Sequence, residues 1–224
     1  MTKIIEVKER IIQDNNAVAN QTREVLKEKN IFFVNLMASP GAGKTTLLTK
    51  VLPILKEKYR IGVIEADVDS DVDAKTMESL GIKALQVHTA GLCHMDADMT
   101  KRSLDALGLE DIDVIVLENI GNLVCPAEFD TGAHLNMMIL SVPEGDDKPL
   151  KYPLMFQNSQ FVVVNKIDVK EVFDFNDAKF ENNVRLQNEN CPIYYVSSKT
   201  GEGIEKVGQY IMKCIEEYRN HENN

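Results

Sequence analysis

The segment LMASPGAGKTT, residues 36–46, carries glycines and side chains that suit phosphate chemistry. Gly41 and Gly43 lack a Cβ, so the backbone can curl and aim its N–H groups at phosphate oxygens. Lys44 would neutralise charge on the β- and γ-phosphates, and Thr45 would offer a hydroxyl to Mg²⁺. The segment predicts a phosphate-binding loop, with nucleotide contacts from Ser39, Pro40, Gly41, Ala42, Gly43, Lys44, Thr45 and Thr46.

Ala38 stands at the position where this motif usually has its first glycine. A methyl group at the loop entry costs little where φ is negative. Pro40 stiffens the turn that follows. We therefore expect the loop to bind phosphate despite the alanine.

Two further loops indicate which base the nucleotide carries. In NKID, residues 165–168, the Asp168 carboxylate can accept both N1–H and N2–H of guanine, while Asn165 braces the loop. Adenine lacks that pair of donors, so the arrangement rejects ATP. The segment SSKTGEG, residues 197–203, resembles the guanine-contacting loop of GTPases. The predicted ligand is GTP or GDP, contacted here by Asn165, Lys166, Asp168, Ser197, Ser198 and Lys199.

Carboxylates after two apolar runs are candidates for holding Mg²⁺. Glu118 ends the run DVIVLE, and Gly121, three residues later, could bring its amide to the γ-phosphate. The acidic segment EADVDSDVDA, residues 65–74, offers Asp67 and Asp73, with Asp69 and Asp71 as solvated charge. An acidic loop that caps the next helix is the alternative interpretation. The predicted Mg²⁺ ligands are Thr45, Asp67, Asp73 and Glu118, and the predicted catalytic residues are Lys44, Thr45 and Asp73.

Cys93, His94 and Cys125 form a possible site for a softer metal. Thiolates combined with an imidazole suit Ni²⁺, Zn²⁺ or copper. Three ligands leave a tetrahedral site incomplete, and a two-fold dimer would supply more from identical loops. Buried, inert cysteines are the alternative interpretation, and packing is the expected role of Cys191 and Cys214.

These residues need a scaffold, and the chain alternates strand-like with helix-like segments, which predicts an α/β fold with a parallel sheet. More fully, we expect a three-layer P-loop NTPase fold, with a mainly parallel sheet of about seven strands and helices on both faces. The predicted strands are residues 31–37, 61–66, 84–88, 113–118, 137–142, 161–166 and 193–198, and the predicted helices are 44–58, 74–80, 96–107, 176–190 and 204–219.

We expect residues 1–224 to form a single GTPase domain, with residues 1–29 as an N-terminal helical extension packed on it. The apolar residues of this extension fall on or near one helical stripe. They are Ile4, Val7, Ile11, Val18, Val25 and Leu26.

Composition excludes two classes of partner. The formal charge of −10, without a basic stripe, argues against nucleic acid. No apolar run approaches the roughly 20 residues of a membrane span, and the charged start MTKIIEVKER does not resemble a signal peptide. We expect a cytoplasmic protein whose four cysteines are mostly reduced.

Five segments together resemble the HypB family of hydrogenase nickel-incorporation GTPases, which belong to the SIMIBI class: ASPGAGKTT, GLCHMDA, ENIGNLVCPAEFDTG, EGDDKPLKYPLMF and NKID. The similarity runs from about residue 31 to the C-terminus. It implies slow GTP hydrolysis, a homodimer promoted by GTP, and delivery of nickel to the [NiFe]-hydrogenase large subunit precursor together with a HypA-type nickel chaperone. It also implies a Ni²⁺ or Zn²⁺ site at the dimer interface, formed by Cys93, His94 and Cys125.

This chain departs from some members of that family. Some carry histidine where Asp98 stands, and some carry an N-terminal cysteine-rich nickel motif, whereas no cysteine precedes Cys93 here. Nickel handling is therefore expected to depend on the interface site. Lys148 and Lys151 could reach across that interface toward the nucleotide, or lie in a surface loop.

Two other functions remain open. A urease-accessory GTPase usually shows Cys-Pro-His, whereas Cys93 and His94 are adjacent here. A small-molecule P-loop kinase is opposed by NKID. Because no residue resembles the water-orienting glutamine or the arginine finger of fast GTPases, slow intrinsic turnover is expected.

Overall fold

The computed structural model describes residues 7–67 and 72–222. Asp69 and Asp71 lie outside the described residues. Asp73 lies within a helix, but its side chain is also outside the described part of the chain.

The seven strands form one parallel sheet in the order β3-β2-β4-β1-β5-β6-β7. Most of them are buried on both faces, which explains their unbroken apolar runs. The predicted α/β fold with seven strands is confirmed. The strands are β1 Phe32–Ala38, β2 Ile61–Asp67, β3 Lys83–His88, β4 Val114–Glu118, β5 Leu135–Ser141, β6 Phe161–Asn165 and β7 Ile193–Tyr195.

The five helices predicted at residues 44–58, 74–80, 96–107, 176–190 and 204–219 agree with the structure to within three residues at each end, and the predicted N-terminal helix ends at Glu28. The helices are α1 Val7–Glu28, α2 Lys44–Lys56, α3 Val72–Ser79, α4 Ala97–Leu107, α5 Cys125–Glu128, α6 Lys148–Lys151, α7 Pro153–Gln157, α8 Asp177–Gln187 and α9 Ile204–Glu222, with 3₁₀ turns at Val142–Glu144 and Ile167–Val169. The sequence did not predict α5, α6 or α7, because a helix of four or five residues has no readable period. Among the described residues, no helix is both long and apolar enough to cross a membrane.

Helices cover both faces of the sheet and give it three layers. On one face α2 and α9 pack through Leu52 and Ile211 against β1 and its neighbours. On the other face α1 and α4 cover β1, β2 and β4, and α7 and α8 cover β5 and β6. Cys191 is buried in the last of these clusters and Cys214 packs beside the first, in keeping with a packing role.

The buried face of α1 differs from the predicted apolar stripe. Ile11 and Val25 are 50% and 43% exposed, although Leu26 is buried as expected and Val18 is half-buried. Ile4 lies outside the described residues, as does the side chain of Val7. The helix instead buries Asn15, Ala19, Thr22 and Leu26, which recur every three or four residues.

A close approach explains why small and polar residues face inward. A Cβ added to Gly132 would lie 2.9 Å from the Ala19 carbonyl oxygen, so α1 rests almost directly on the backbone of the loop before β5. A larger apolar residue at this face would prevent that contact. The stripe prediction was therefore wrong in its details, because polar side chains that bond to backbone can be buried at low cost.

Candidate functional site

A cavity of about 580 Å³ lies at the carboxyl ends of β1, β2 and β4, where α2 begins. Of the predicted residues, its lining includes Pro40, Gly41, Gly43, Lys44, Thr45, Thr46, Asp67, Glu118, Gly121 and Lys166. The carboxyl edge of a parallel sheet is the usual place for a ligand in such folds. The first-turn amides of α2 and its helix dipole favour an anion there.

The glycine-rich loop has the backbone that the motif requires. Gly41 and Gly43 have φ of +74° and +97°, in the region that side chains disfavour. A Cβ on Gly43 would also lie 2.5 Å from Asn165 Nδ2. Ala38 is fully buried at the last position of β1 and pairs with Ile139 in extended backbone, so its methyl group is accommodated.

Hard oxygen donors gather behind the loop. The Thr45 hydroxyl donates a hydrogen bond of 2.9 Å to Glu118 Oε1, and Lys44 Nζ lies 3.8 Å from the same oxygen. Glu118 is 4% exposed. Hydroxyl and carboxylate oxygens are the ligands that Mg²⁺ prefers, so this donor set fits the ion. Asp67 lines the same cavity from the end of β2, while the position of the Asp73 side chain is not described.

Of the cavity residues that the sequence did not predict, two are polar side chains, Glu65 and Gln86. Glu65 on β2 is 2% exposed and lies in register with Glu118 on β4 and with Gln86 on β3. All three line the cavity. Strand alternation was an available signal, because Glu65 is two residues before Asp67 and so shares its face of the sheet.

The segment after β4 is packed on the phosphate loop. A Cβ on Gly121 would lie 2.9 Å from the Pro40 backbone, so only a residue without a side chain allows this approach. The Asn122 amide donates a hydrogen bond of 2.8 Å to the Ala38 carbonyl. A phosphate bound by the loop would therefore lie close to this segment.

Asn165 joins the predicted guanine-binding loops to the phosphate loop. Its buried Nδ2 donates to the Ala42 carbonyl at 2.9 Å, and its Oδ1 accepts from the Ser198 amide and hydroxyl at 3.0 and 2.9 Å. Lys166, with φ of +63°, donates through Nζ to the Gly41 carbonyl at 2.6 Å. The side chain that was predicted to brace NKID thus contacts all three loops.

Asp168 is exposed at the end of this network. Its Oδ1 accepts a hydrogen bond of 2.6 Å from the Ser197 hydroxyl, which lowers the pKa of the carboxyl and favours the ionised acceptor. Asp168 and Ser197 lie beyond the lining of the 580 Å³ cavity, as do Ser39, Ala42, Asn165, Ser198 and Lys199. The structure therefore brings the guanine loops together beside the phosphate cavity, and of their predicted residues Lys166 lines it.

A second cluster consists of the predicted soft ligands. Ligand atoms of Cys93, His94 and Cys125 all lie within 4.8 Å of one another. The two Sγ atoms are 3.0 Å apart, and Cys93 Sγ is 3.7 Å from His94 Nδ1. Cys93 and His94 lie in the loop between β3 and α4, whereas Cys125 begins α5. Two thiols and an imidazole at this spacing can converge on one Ni²⁺ or Zn²⁺ ion.

The protonation preferences of the cluster follow from its surroundings. The hydrogen bond with Cys93 raises the pKa of the Cys125 thiol, and burial adds to the effect. Burial lowers the pKa of His94, which stacks on Phe129 at 4.1 Å between ring centroids. A neutral imidazole is the form that binds a metal. Asp98 is outside the cluster and pairs with Arg102 at 3.0 Å.

The two sites lie on one short stretch of backbone. Glu118 accepts a hydrogen bond from the Thr45 hydroxyl, Gly121 packs on the phosphate loop, and Cys125 belongs to the thiol cluster. Asn122 lies between them, and its Nδ2 donates to the Cys93 carbonyl at 3.2 Å. The eight residues 118–125 therefore connect the phosphate-loop cavity to the thiol cluster.

Comparisons with known proteins agree on one family. The family model described as the CobW/HypB/UreG nucleotide-binding domain matches residues 32–194. The Hydrogenase/urease maturation factor HypB of Helicobacter hepaticus is 38% identical over 224 residues, covering 98% of this chain and 92% of that protein. The Probable hydrogenase maturation factor HypB of Methanocaldococcus jannaschii is 34% identical, covering 96% and 98%. The crystal structure of Helicobacter pylori HypB in complex with nickel has a TM-score of 0.86 at 34% identity, covering 91% of this chain and 96% of that one.

Proposed function

The chain belongs to the HypB family of hydrogenase maturation factors, and from this premise we propose that it is a GTP-hydrolysing metallochaperone that delivers nickel during [NiFe]-hydrogenase maturation. The observation that carries the proposal is the convergence of Cys93, His94 and Cys125 on the segment that follows Glu118. A metal site on this segment can respond to the nucleotide state.

Guanine nucleotides are the proposed ligands of the first site. Asn165, Lys166 and Asp168 would select the base together with Ser197, Ser198 and Lys199, and residues 39–46 with Gly121 would hold the phosphates. The support is the hydrogen-bond network through Asn165, which connects the two halves of this site. ATP would leave the Asp168 carboxylate without its guanine donors.

The proposed catalytic groups act by electrostatics. Lys44 would stabilise charge that develops on the transferring γ-phosphoryl group. Thr45, Asp67, Asp73 and Glu118 would hold Mg²⁺, which supplies further positive charge at those oxygens when it is bound. Thr45 is already oriented by its hydrogen bond to Glu118. We propose slow intrinsic turnover, with a partner or a second protomer providing the group that activates water.

Nickel or zinc is the proposed cargo of the thiol cluster. Cys93 and Cys125 would bind it as thiolates and His94 as a neutral imidazole. Cys93 is exposed, so ligands of a second protomer could approach the same ion. We propose that GTP promotes this homodimer, and that a HypA-type nickel chaperone and the hydrogenase large subunit precursor are the partners, in the cytoplasm.

Equilibrium binding of Ni²⁺ and Zn²⁺, measured with GDP and with a non-hydrolysable GTP analogue, tests the proposal. We expect tight binding that depends on the nucleotide. Cys125→Ala should lower metal stoichiometry with GDP affinity nearly intact, while Cys191→Ala, which changes a buried cysteine outside the cluster, should leave both unchanged. Normal metal binding by Cys125→Ala would refute the assigned site, and fast single-turnover hydrolysis by dilute monomer would refute the slow GTPase.

A urease is the second candidate recipient. The support is the name of the Helicobacter hepaticus relative, which joins urease to hydrogenase. Pull-down of a hydrogenase large subunit precursor and of a urease, each by the GTP-loaded protein, distinguishes the two. Capture of the urease alone would favour the second candidate.

A further inference from the structure

We propose that Asn15 of α1 is a positioning residue for the thiol cluster, because its side chain links the two chain segments that carry the metal ligands. This inference rests on the proposed metal function of Cys93, His94 and Cys125. Asn15 belongs to neither segment, and the polar interior of α1 was not predicted from the sequence pattern.

Both polar atoms of the Asn15 side chain are used. Its Oδ1 accepts a hydrogen bond of 2.8 Å from the Ala97 amide, three residues after His94. Its Nδ2 donates one of 2.9 Å to the Asp130 carbonyl, five residues after Cys125. Asn15 is 9% exposed, so water has little access to either hydrogen bond. One amide therefore sets the separation between the loop before α4 and the segment that contains α5.

A second contact from α1 holds the same segment. Arg23 Nη2 lies 2.6 and 2.7 Å from the two carboxylate oxygens of Asp130, and Asp130 Oδ1 accepts from the Gly132 amide at 2.9 Å. Arg23 lies two helical turns from Asn15 on α1. The Asp130 side chain is thus held by Arg23 and by the Gly132 amide, so the carbonyl that accepts the Asn15 hydrogen bond belongs to a residue that is itself fixed in place.

The first ligand loop is fixed on its other side as well. The buried Asn119 side chain accepts from the Met95 amide at 3.2 Å and from its neighbour Ile120 at 2.9 Å. The loop that carries His94 is therefore held by Asn119, the residue after β4, on one side and by α1 on the other. Loss of the Asn15 hydrogen bonds would free this loop only from α1. The distance between Cys93 and Cys125 would then change, whereas the nucleotide cavity would keep its shape.

Two substitutions of Asn15 test this role, with Asn16→Ala as the matched control because Asn16 is the exposed neighbouring asparagine on the same helix. Asn15→Ala removes both hydrogen bonds and side-chain volume. Asn15→Leu removes the hydrogen bonds but retains the volume, so α1 can remain packed. The readouts are Ni²⁺ affinity by competition with a chromophoric chelator, GDP affinity, melting temperature, and the rate of Cys93–Cys125 disulfide formation with diamide in the metal-free protein. In that last reaction the two thiols lose two electrons and two protons, and diamide is reduced to the hydrazine.

Both Asn15 variants should weaken Ni²⁺ binding on the order of 10-fold, the lower end of the range for groups that orient metal ligands. They should slow disulfide formation by a similar factor, because the two thiols meet less often. GDP affinity should stay at the wild-type value, and Asn16→Ala should match wild type in every assay. Wild-type Ni²⁺ affinity and disulfide rate in Asn15→Leu would overturn the inference, even if the melting temperature fell. If the wild-type protein bound no Ni²⁺, the proposed function would fail, yet the disulfide rates would still decide whether Asn15 sets the thiol spacing.

Discussion

Replacing Gly43 with alanine should separate the phosphate loop from the guanine-binding loops. The new Cβ would lie 2.5 Å from Asn165 Nδ2, a distance that real Cβ atoms do not reach, so the amide must move. That amide donates to the Ala42 carbonyl at 2.9 Å and its oxygen anchors Ser198. The substitution therefore perturbs the residue that joins the three loops.

Two contributions determine the size of the effect. A residue with a Cβ in left-handed backbone costs about 1–2 kcal/mol, and Gly43 has φ of +97°. Displacing a buried donor from its acceptor costs about 1–3 kcal/mol more. We expect Gly43→Ala to lower the free energy of unfolding by about 2–5 kcal/mol. Since 1.4 kcal/mol corresponds to a factor of ten, GDP affinity should also fall by at least about 10-fold as Asn165 shifts.

Gly41→Ala is the matched control. Gly41 has φ of +74°, but its added Cβ would meet no atom within 4 Å, so it should cost only the backbone strain of about 1–2 kcal/mol. Urea unfolding of both variants gives the difference. In an Asn165→Ala background the collision is absent, and the cost of Gly43→Ala should fall to that of Gly41→Ala. Equal losses for Gly43→Ala and Gly41→Ala in the otherwise wild-type protein would refute the role given to Asn165.

Three further predictions concern single side chains. Asp168→Asn turns an amide donor toward guanine N1–H or N2–H, so GDP affinity should fall at least about 10-fold. Xanthosine diphosphate has an acceptor at C2 and should bind better to this variant than to the wild type. An unchanged preference in a competition assay between the two nucleotides would contradict the guanine assignment. Hydrogen bonds from Arg60 lower the pKa of Asp113 from 3.8 to about 2, so this carboxylate stabilises the fold above pH 3.8 and its contribution disappears as pH falls toward 2. Asp113→Asn should therefore lose on the order of 1 kcal/mol at neutral pH, after allowance for partial exposure, and little at about pH 2 in urea unfolding; equal losses at both would exclude the ionised pair. Burial raises the pKa of Cys191 to about 11, so a disulfide reagent at neutral pH should modify the exposed Cys93 and leave Cys191 unmodified until the protein unfolds; rapid labelling of both would contradict that burial.

Several features could be predicted because their determinants are contiguous in the chain. The phosphate loop needs Gly41, Gly43 and Lys44 between a strand and a helix, and local backbone geometry is enough to define it. The seven strands could be predicted from the sequence because buried parallel strands have unbroken apolar runs. Thr45 and Glu118 were each proposed as a Mg²⁺ ligand from their own motifs, but their hydrogen bond depends on β1 and β4 being neighbours in the sheet, which the sequence did not predict.

The α1 stripe shows where the same reasoning failed. Apolar periodicity placed Ile11 and Val25 inward, but the helix buries Asn15 and Thr22. A hydropathy pattern predicts an unfavourable free energy for burying an amide side chain. Hydrogen bonds offset that penalty, and for Asn15 the hydrogen-bond partners are backbone groups distant in sequence. The Ala97 amide and the Asp130 carbonyl are 82 and 115 residues away in sequence, and no local pattern reveals them.

By itself, the sequence determined which residue types are available for chemistry: a phosphate-loop motif, a candidate guanine motif and three candidate ligands for a soft metal, each set by residue type and local spacing. Only the tertiary structure decided how these parts are joined. Asn165 connects the nucleotide loops across 123 residues, and Cys93 meets Cys125 across 32, because parallel strands bring loops to one edge of the sheet whatever their distance along the chain. The side chains that connect the sites, Asn15 and Asn165, are buried amides whose roles depend on partners that only the folded chain brings within 3 Å of them.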